Sequence, residues 1–289
     1  LGQWPWPRTR VAELVTRLQS AGASAIAFDV IFAEPDRTSP AAMLATWKPV
    51  PGLREQLSLL PDHDTVFAQA LSQGGVVLGH APGAESGSSP LVRPFNVVDM
   101  GPSSLPFLHA FGGTVTSLPV LQQAAAGNGA ISFIPDSDGV IRRVPLLLRV
   151  DDQAIPSLVA EALRVSQQAN DYAVITSEEA SAGLEEILVG DLAVPTTAEG
   201  EMWVRYTLGG DERSIPAWRV LAGAVPTESL RGRIVLVGAS AKGLQDLHFS
   251  PLGQIIPGVE VHAQALEQII AGDPLTRPNW ASGLEVLFI

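Results

Sequence analysis

Within residues 9–21 the apolar positions Val11, Leu14, Val15 and Leu18 fall at helical spacing and Gly22 supplies a stop, so the pattern predicts a helix. The next run, residues 24–32 (Ser-Ala-Ile-Ala-Phe-Asp-Val-Ile-Phe), is almost continuously apolar. A strand covered on both faces of a mostly parallel sheet reads this way. Prolines break up residues 33–60, which predicts a long irregular excursion with one short helix, covering a sheet edge. Asp62 or Asp64 caps a helix running to Ser72, and Gly74-Gly75 ends it before a short strand at 76–79, a second βα-type unit. Residues 81–106 are rich in Pro, Gly and Ser and predict a surface loop suited to a lid or linker.

Further on, strand-like runs at 130–134 and 140–150 flank Pro135-Asp-Ser-Asp-Gly139, turn chemistry with Gly where positive φ is needed, so an antiparallel hairpin is expected. A helical stripe of Leu158, Val159, Ala162 and Leu163 marks a helix over 155–168, and short strands follow near 186–189 and 202–206. A parallel-type strand at 233–238 and a helix at 258–271 complete the pattern, in which no internal repeat stands out. Alternating β and α at both ends predicts an α/β fold: a mixed, mostly parallel sheet flanked by helices, with an inserted antiparallel hairpin, as one domain over 1–280.

Composition narrows the function classes. Apolar residues make up 46% and charged residues 17%, with mean hydropathy +0.22, so the chain folds rather than staying disordered. Eighteen Lys+Arg against thirty Asp+Glu give a net charge of −12, and Lys48 and Lys242 are the only lysines. Such a surface repels phosphate backbones, so nucleic acid is not expected as a partner. The absence of Cys removes disulfides, thiolate metal sites and cysteine nucleophiles but leaves the compartment open. Leu1 is no initiator Met and no targeting signature follows it, which predicts an excised piece of a longer protein. No uninterrupted apolar run reaches the roughly 18 residues of a membrane span. Residues 281–289, ending in Leu284-Glu-Val-Leu-Phe-Ile289, suit the start of a following membrane helix, with Trp280 at the interface. An amphipathic helix and a tag remnant are the other readings of this tail.

Candidate chemistry concentrates in a few places. Residues 234–243 (Ile-Val-Leu-Val-Gly-Ala-Ser-Ala-Lys-Gly) put a Gly/Ser turn at the carboxyl end of a buried strand, where open α/β sheets bind ligands. A nucleophile elbow needs Gly two residues beyond Ser240, where Lys242 stands, so a serine hydrolase using Ser240, Asp246 and a His is a weakened alternative. A phosphate-cradling loop fails because Leu244 follows Gly243. Two readings remain: a turn whose N–H groups and Lys242 hold an anion, or a tight turn in which Gly238 merely permits the backbone path. Asp136-Ser-Asp138-Gly139 resembles half a calcium loop, but Leu147 occupies the position of the required Glu. Asp138 is therefore expected to serve the turn itself, paired with Arg142 or Arg143. Asp29 interrupts an apolar strand near its carboxyl end, where an ionised group needs hydrogen bonds or a cation. It lines a pocket or ties down a loop, and either role demands a partner. The histidines show no zinc-binding spacing, so neither metal nor cofactor is expected.

Taken in order, these motifs resemble one family across almost the whole chain, the CHASE2 extracytoplasmic sensor domains of bacterial receptors. The likeness rests on Trp4-Pro-Trp-Pro-Arg8, Gly22-Ala-x-Ala-Ile-Ala-Phe-Asp-Val-Ile-Phe32, the Asp64 helix and Asp136-x-Asp-Gly-x-x-Arg-Arg-x-Pro145. It continues through Pro156-Ser-Leu158, Ile234-Val-Leu-Val-Gly-x-Ser240, Gly243-Leu-x-Asp246, Ser250-Pro-Leu-Gly253 and Pro257-Gly-Val-Glu-Val-His-Ala263. The resemblance implies a non-catalytic periplasmic sensor of a small-molecule or envelope signal, set between membrane helices of a bacterial inner-membrane receptor, and a homodimer. The wording of residues 2–8 and 34–40 looks most like relatives whose output is an adenylate or guanylate cyclase, with histidine or Ser/Thr kinases as the alternative. Relatives carry a further acidic strand just before the position of Leu1, so the resemblance implies that one strand lies outside this sequence. Candidate pocket residues are Asp29, Asp138, Arg142, Ser240, Lys242, Asp246 and His262.

Overall fold

The structure, a computed structural model, describes residues 4–46, 51–83, 96–178, 183–208, 213–239, 246–276 and 281. Helix α1 (Arg8–Ser20) leads into β1 (Ala25–Phe28); α2 (Pro40–Thr46) and α3 (Pro51–Ser58) lie in the excursion; α4 (His63–Leu71) leads into β2 (Val76–Gly83). Then come β3 (Asn96–Met100), β4 (Ala110–Phe111), β5 (Gly113–Val115), α5 (Pro119–Ala124) and β6 (Gly127–Ala130). Strands β7 (Arg143–Pro145), β8 (Leu147–Val150) and β9 (Gln153–Pro156) precede α6 (Leu158–Ser166). Strands β10 (Asp171–Thr176), β11 (Leu184–Val189), β12 (Leu192–Pro195) and β13 (Glu201–Trp203) follow, then α7 (Ala217–Leu221), β14 (Ile234–Val237), β15 (Leu247–Phe249), β16 (Ile255–Pro257) and α8 (Gly258–Ala271).

The mixed α/β class expected from the sequence is what the structure shows. At its centre β14, β1, β2 and β6 run parallel in that order, and the end of β2 turns to pair antiparallel with β5. Two-residue alternation sorts these strands between two cores. Ile26, Phe28, Val76 and Leu78 face α1, α4 and α7, where Val15, Leu18, Phe67 and Val220 are buried. Ala27 and Val77 face α6 and α8. Buried positions run along successive residues from Leu158 to Leu163, because α6 lies between the central sheet and the second sheet of β12, β11, β10 and β3.

Several expectations need correction. The runs at 130–134 and 140–150 do not form a hairpin: Asp136 N–H does bond to the Val140 carbonyl at 3.0 Å, but the flanks part to different partners. The first flank ends as β6 beside β2, Val140 bridges to Phe249, and β7 pairs with β13. The inserted antiparallel hairpin is instead β8–β9, turning at Asp151-Asp152. Strand β6, Gly-Asn-Gly-Ala, lacks β-formers yet is buried along its whole length beside β2. Glycine there lets α6 approach, since a Cβ on Gly129 would sit 2.6 Å from Leu158 Cα. The excursion holds two helices where one was expected, and the stretch read as a loop over 81–106 contains β3, paired in parallel with β10. Residues 84–95 of that stretch lie outside the described residues. So does almost all of the 281–289 tail, on which the membrane-helix expectation rests.

Candidate functional site

From β1 the chain proceeds through β2 to β6 on one side, whereas β14 returns to the other, so the strand order reverses between β1 and β14. Ligands of open α/β sheets bind outside the carboxyl ends of the strands at such a point. Asp29 is the first residue beyond β1. Its N–H still donates to the Val237 carbonyl at 2.9 Å, which holds the residue against the end of β14. On the far side of β14, Asp246 precedes β15, whose pairing with β16 brings His248 opposite Ile256 and delivers the chain to the start of α8.

Two glycines allow this convergence. A Cβ on Gly258 would lie 2.7 Å from both carboxylate oxygens of Asp246, and one on Gly238 would lie 2.6 Å from Val259. Without those atoms the Asp246 carboxylate seats on the first turn of α8, where the Gly258 N–H donates to the Asp246 main-chain carbonyl at 3.2 Å and favours the charge of the carboxylate, and the end of β14 abuts the same turn. His248 donates from Nε2 to Asp246 Oδ1 at 3.1 Å, the direction an ionised carboxylate requires. That bond, against the opposing effect of burial, holds Asp246 below the usual carboxylate range. Phe133 packs edge-on to His248 at 5.0 Å and tilted over His262 at 4.5 Å.

The two innermost groups are left short of partners. Asp29 Oδ2 is buried and makes no hydrogen bond among the described residues. Burial, reinforced by the Asp246 charge and only partly relieved by His248, pushes its carboxyl up to about 7. His262, at the start of the second turn of α8, is fully buried, and neither ring nitrogen has a hydrogen-bonding partner among the described residues. The Ile131 carbonyl lies beside the ring without hydrogen-bond geometry. Burial pushes the imidazole down to about 3 despite Asp246 and that carbonyl, so His262 is neutral.

Of the residues singled out in the sequence, Asp29, Asp246 and His262 come together here. Asp138 and Arg142 pair with each other instead, in a bidentate contact of 2.9 and 2.7 Å, while Asp138 also accepts from the Val140 N–H at 3.1 Å. This is the turn-serving role expected for Asp138. Arg142 also reaches Asp136, and Arg143 joins Asp136 to the buried Glu201. Main chain links the turn to the site: Ile141 N–H donates to the Phe249 carbonyl at 3.0 Å. Ser240 and Lys242 lie outside the described residues. Sequence reasoning missed Phe133 and the Asp246–His248 bond; the Asp-x-His spacing next to the Gly/Ser turn was the available signal.

Elsewhere a cavity of about 540 Å³ opens at the opposite, amino-terminal ends of the parallel strands, beside Ser24, Gly75 and Ala126. Its charged wall residue, Arg164, is committed to Glu161 through bonds of 2.8 and 2.7 Å, so the carboxyl-end cluster is the better candidate. Among the described residues no three His, Asp or Glu side chains are grouped to hold a metal ion.

Fold and site together define an α/β domain whose polar residues gather where such sheets receive ligands. The family model of the CHASE2 domain matches residues 1–289, and the chain belongs to that family, one of extracytoplasmic sensor domains. No curated protein and no solved structure matches the chain. No helix among the described residues is long and apolar enough to cross a membrane.

Proposed function

We propose that this chain is the periplasmic receiving domain of a bacterial inner-membrane receptor, detecting a small-molecule or envelope signal and regulating a cytoplasmic adenylate or guanylate cyclase. Membership of the sensor family supports the receiving role, and the wording of residues 2–8 and 34–40 supports the cyclase output. The observation that carries the reading is His262, which is at once a wall of the site and part of the second turn of α8. A ligand that binds one arrangement of this turn better shifts the population toward it, and α8 carries the change toward the C-terminal side. On the other face α1 packs on β1 and is fixed at its start: Arg8 N–H donates to Asp36 at 2.7 Å, and its guanidinium reaches Glu34, Asp64 and the Phe32 ring. Two copies acting as a homodimer bring two cyclase subunits together.

The test uses membranes carrying the intact protein. A compound that raises the thermal midpoint of the chain is expected to change cAMP or cGMP output, and His262→Phe is expected to abolish that response. A compound that binds at the site without changing any output refutes the reading; a response in phosphotransfer reassigns the output to a kinase. The Asp246–His248 bond is the observation that favours the hydrolase alternative. Release of chromogenic ester products that disappears in Ser240→Ala would establish it.

A further inference from the structure

Building on the receiving role proposed above, we infer that the site at the carboxyl ends of β1 and β14 binds a small organic ammonium ion, held by the carboxylates of Asp29 and Asp246 and by the lone pair of His262. The chemistry of the unmet groups selects this ligand. Asp29 offers a buried oxygen with no donor among the described residues. Neutral His262 offers one acceptor nitrogen, and its ring is closed off from solvent. Asp246 brings a second negative charge, and its side-chain donor, His248, leaves lone pairs free on a carboxylate that takes about four bonds. Acceptors therefore outnumber donors, and the local charge is negative.

A primary ammonium supplies what is missing: a positive charge and three N–H donors for three acceptors. A carboxylate or phosphate would face Asp29 and Asp246 at close range with no free cation to meet it among the described residues. An inorganic divalent cation lacks a grouped ligand set there. Phe133, packed on both histidines, places an apolar surface beside the polar groups and suits the hydrocarbon part of an organic amine.

Binding a cation favours the ionised form of Asp29, so a proton leaves as the ligand enters. The other titratable groups that face Asp29 are Asp246 on the segment before β15 and His248 on β15, with His262 on α8 facing Asp246. Asp246 stays ionised and His262 neutral from pH 5.5 to 8, and loss of the slope in Asp29→Asn assigns it to Asp29 rather than to His248.

The experiment measures binding of ethylammonium chloride to the full chain by calorimetry and thermal shift, with sodium acetate and ethanol as matched controls. Ethylammonium alone is expected to bind, with affinity falling about tenfold per pH unit below pH 7 and level above it. Asp29→Asn is expected to weaken binding at least tenfold and to remove the pH dependence. His262→Phe is expected to weaken it with the pH dependence intact. Failure of ethylammonium to bind, or binding with unchanged affinity and pH slope in Asp29→Asn, overturns the inference. In that case a neutral or anionic compound that still drives receptor output leaves the sensor reading standing. Binding that appears only in Lys242→Met would show that the chain supplies its own ammonium, which also overturns the inference.

Discussion

Replacing Asp29 by Asn removes a charge that the fold holds at a disadvantage, so the variant is expected to be more stable than the parent at neutral pH. The carboxyl stands at about 7 in the folded chain against an ordinary 3.8, because burial and the Asp246 charge both oppose ionisation. The higher folded value means that the folded state holds the proton more tightly. The contribution of Asp29 to stability is therefore greatest below pH 3.8, declines as pH rises from 3.8 through 7, and is level thereafter. At about 1.36 kcal/mol per pKa unit the full deficit is about 4 kcal/mol at pH 8, about 2 kcal/mol at pH 5 and about 0.6 kcal/mol at pH 4. Water screens part of this charge, since the side chains of Asp246 and His248 are 38% and 28% accessible. A gain of about 2 to 4 kcal/mol at pH 8, shrinking toward acid, is the expected result. Urea unfolding in amine-free buffer, followed by tryptophan fluorescence and far-UV circular dichroism, measures it, provided the urea slope is unchanged. A variant that is less stable than the parent by a constant amount from pH 5 to 8 would refute the reasoning, because it would mean that Asp29 is ionised and well paired.

Three other substitutions test neighbouring parts of the argument. Gly258→Ala drives a methyl group against the Asp246 carboxylate; it is expected to cost about 1–3 kcal/mol in urea unfolding and to weaken ethylammonium binding, and unchanged binding would separate the helix turn from the site. Arg8→Ala keeps the main-chain N–H that Asp36 accepts but removes the cation beside the buried carboxylate of Asp64, and is expected to destabilise the chain by about 3–5 kcal/mol, so a loss below about 1 kcal/mol would show that α1 is not fixed this way. Arg142→Ala breaks only an exposed clasp; it is expected to leave ethylammonium affinity unchanged, and a measurable change would place that turn in the site.

Long elements with strong patterns were legible in the chain itself. Helices α1, α4, α6 and α8 and strands β1, β2 and β14 lie where apolar spacing and glycine stops put them, and Asp62 caps α4 by accepting the N–H groups of Asp64 and Thr65. Asp64, the other cap candidate, instead accepts the Asp36 N–H and pairs with Arg8, a long-range choice that no local rule contains. Strand β6 was invisible because its residues are chosen by the approach of α6 rather than by strand preference. The misplaced hairpin has a similar cause: turn chemistry at 135–139 is local and correct, but which strands its flanks join depends on segments more than fifty residues away.

The site divides along the same line. Sequence alone determined that a lone carboxylate interrupts an apolar strand, that a glycine-bearing turn ends another, and that a histidine opens the last helix, because residue identity and short-range spacing are enough for each. Only the tertiary structure decided that Asp29, Asp246, His248 and His262 meet, and that Asp138 and Arg142 satisfy one another elsewhere. The physical reason is that burial and charge coupling act through space: Asp29 acquires its unusual proton affinity from a carboxylate 217 positions further along the chain, brought close by the pairing of β1 with β14.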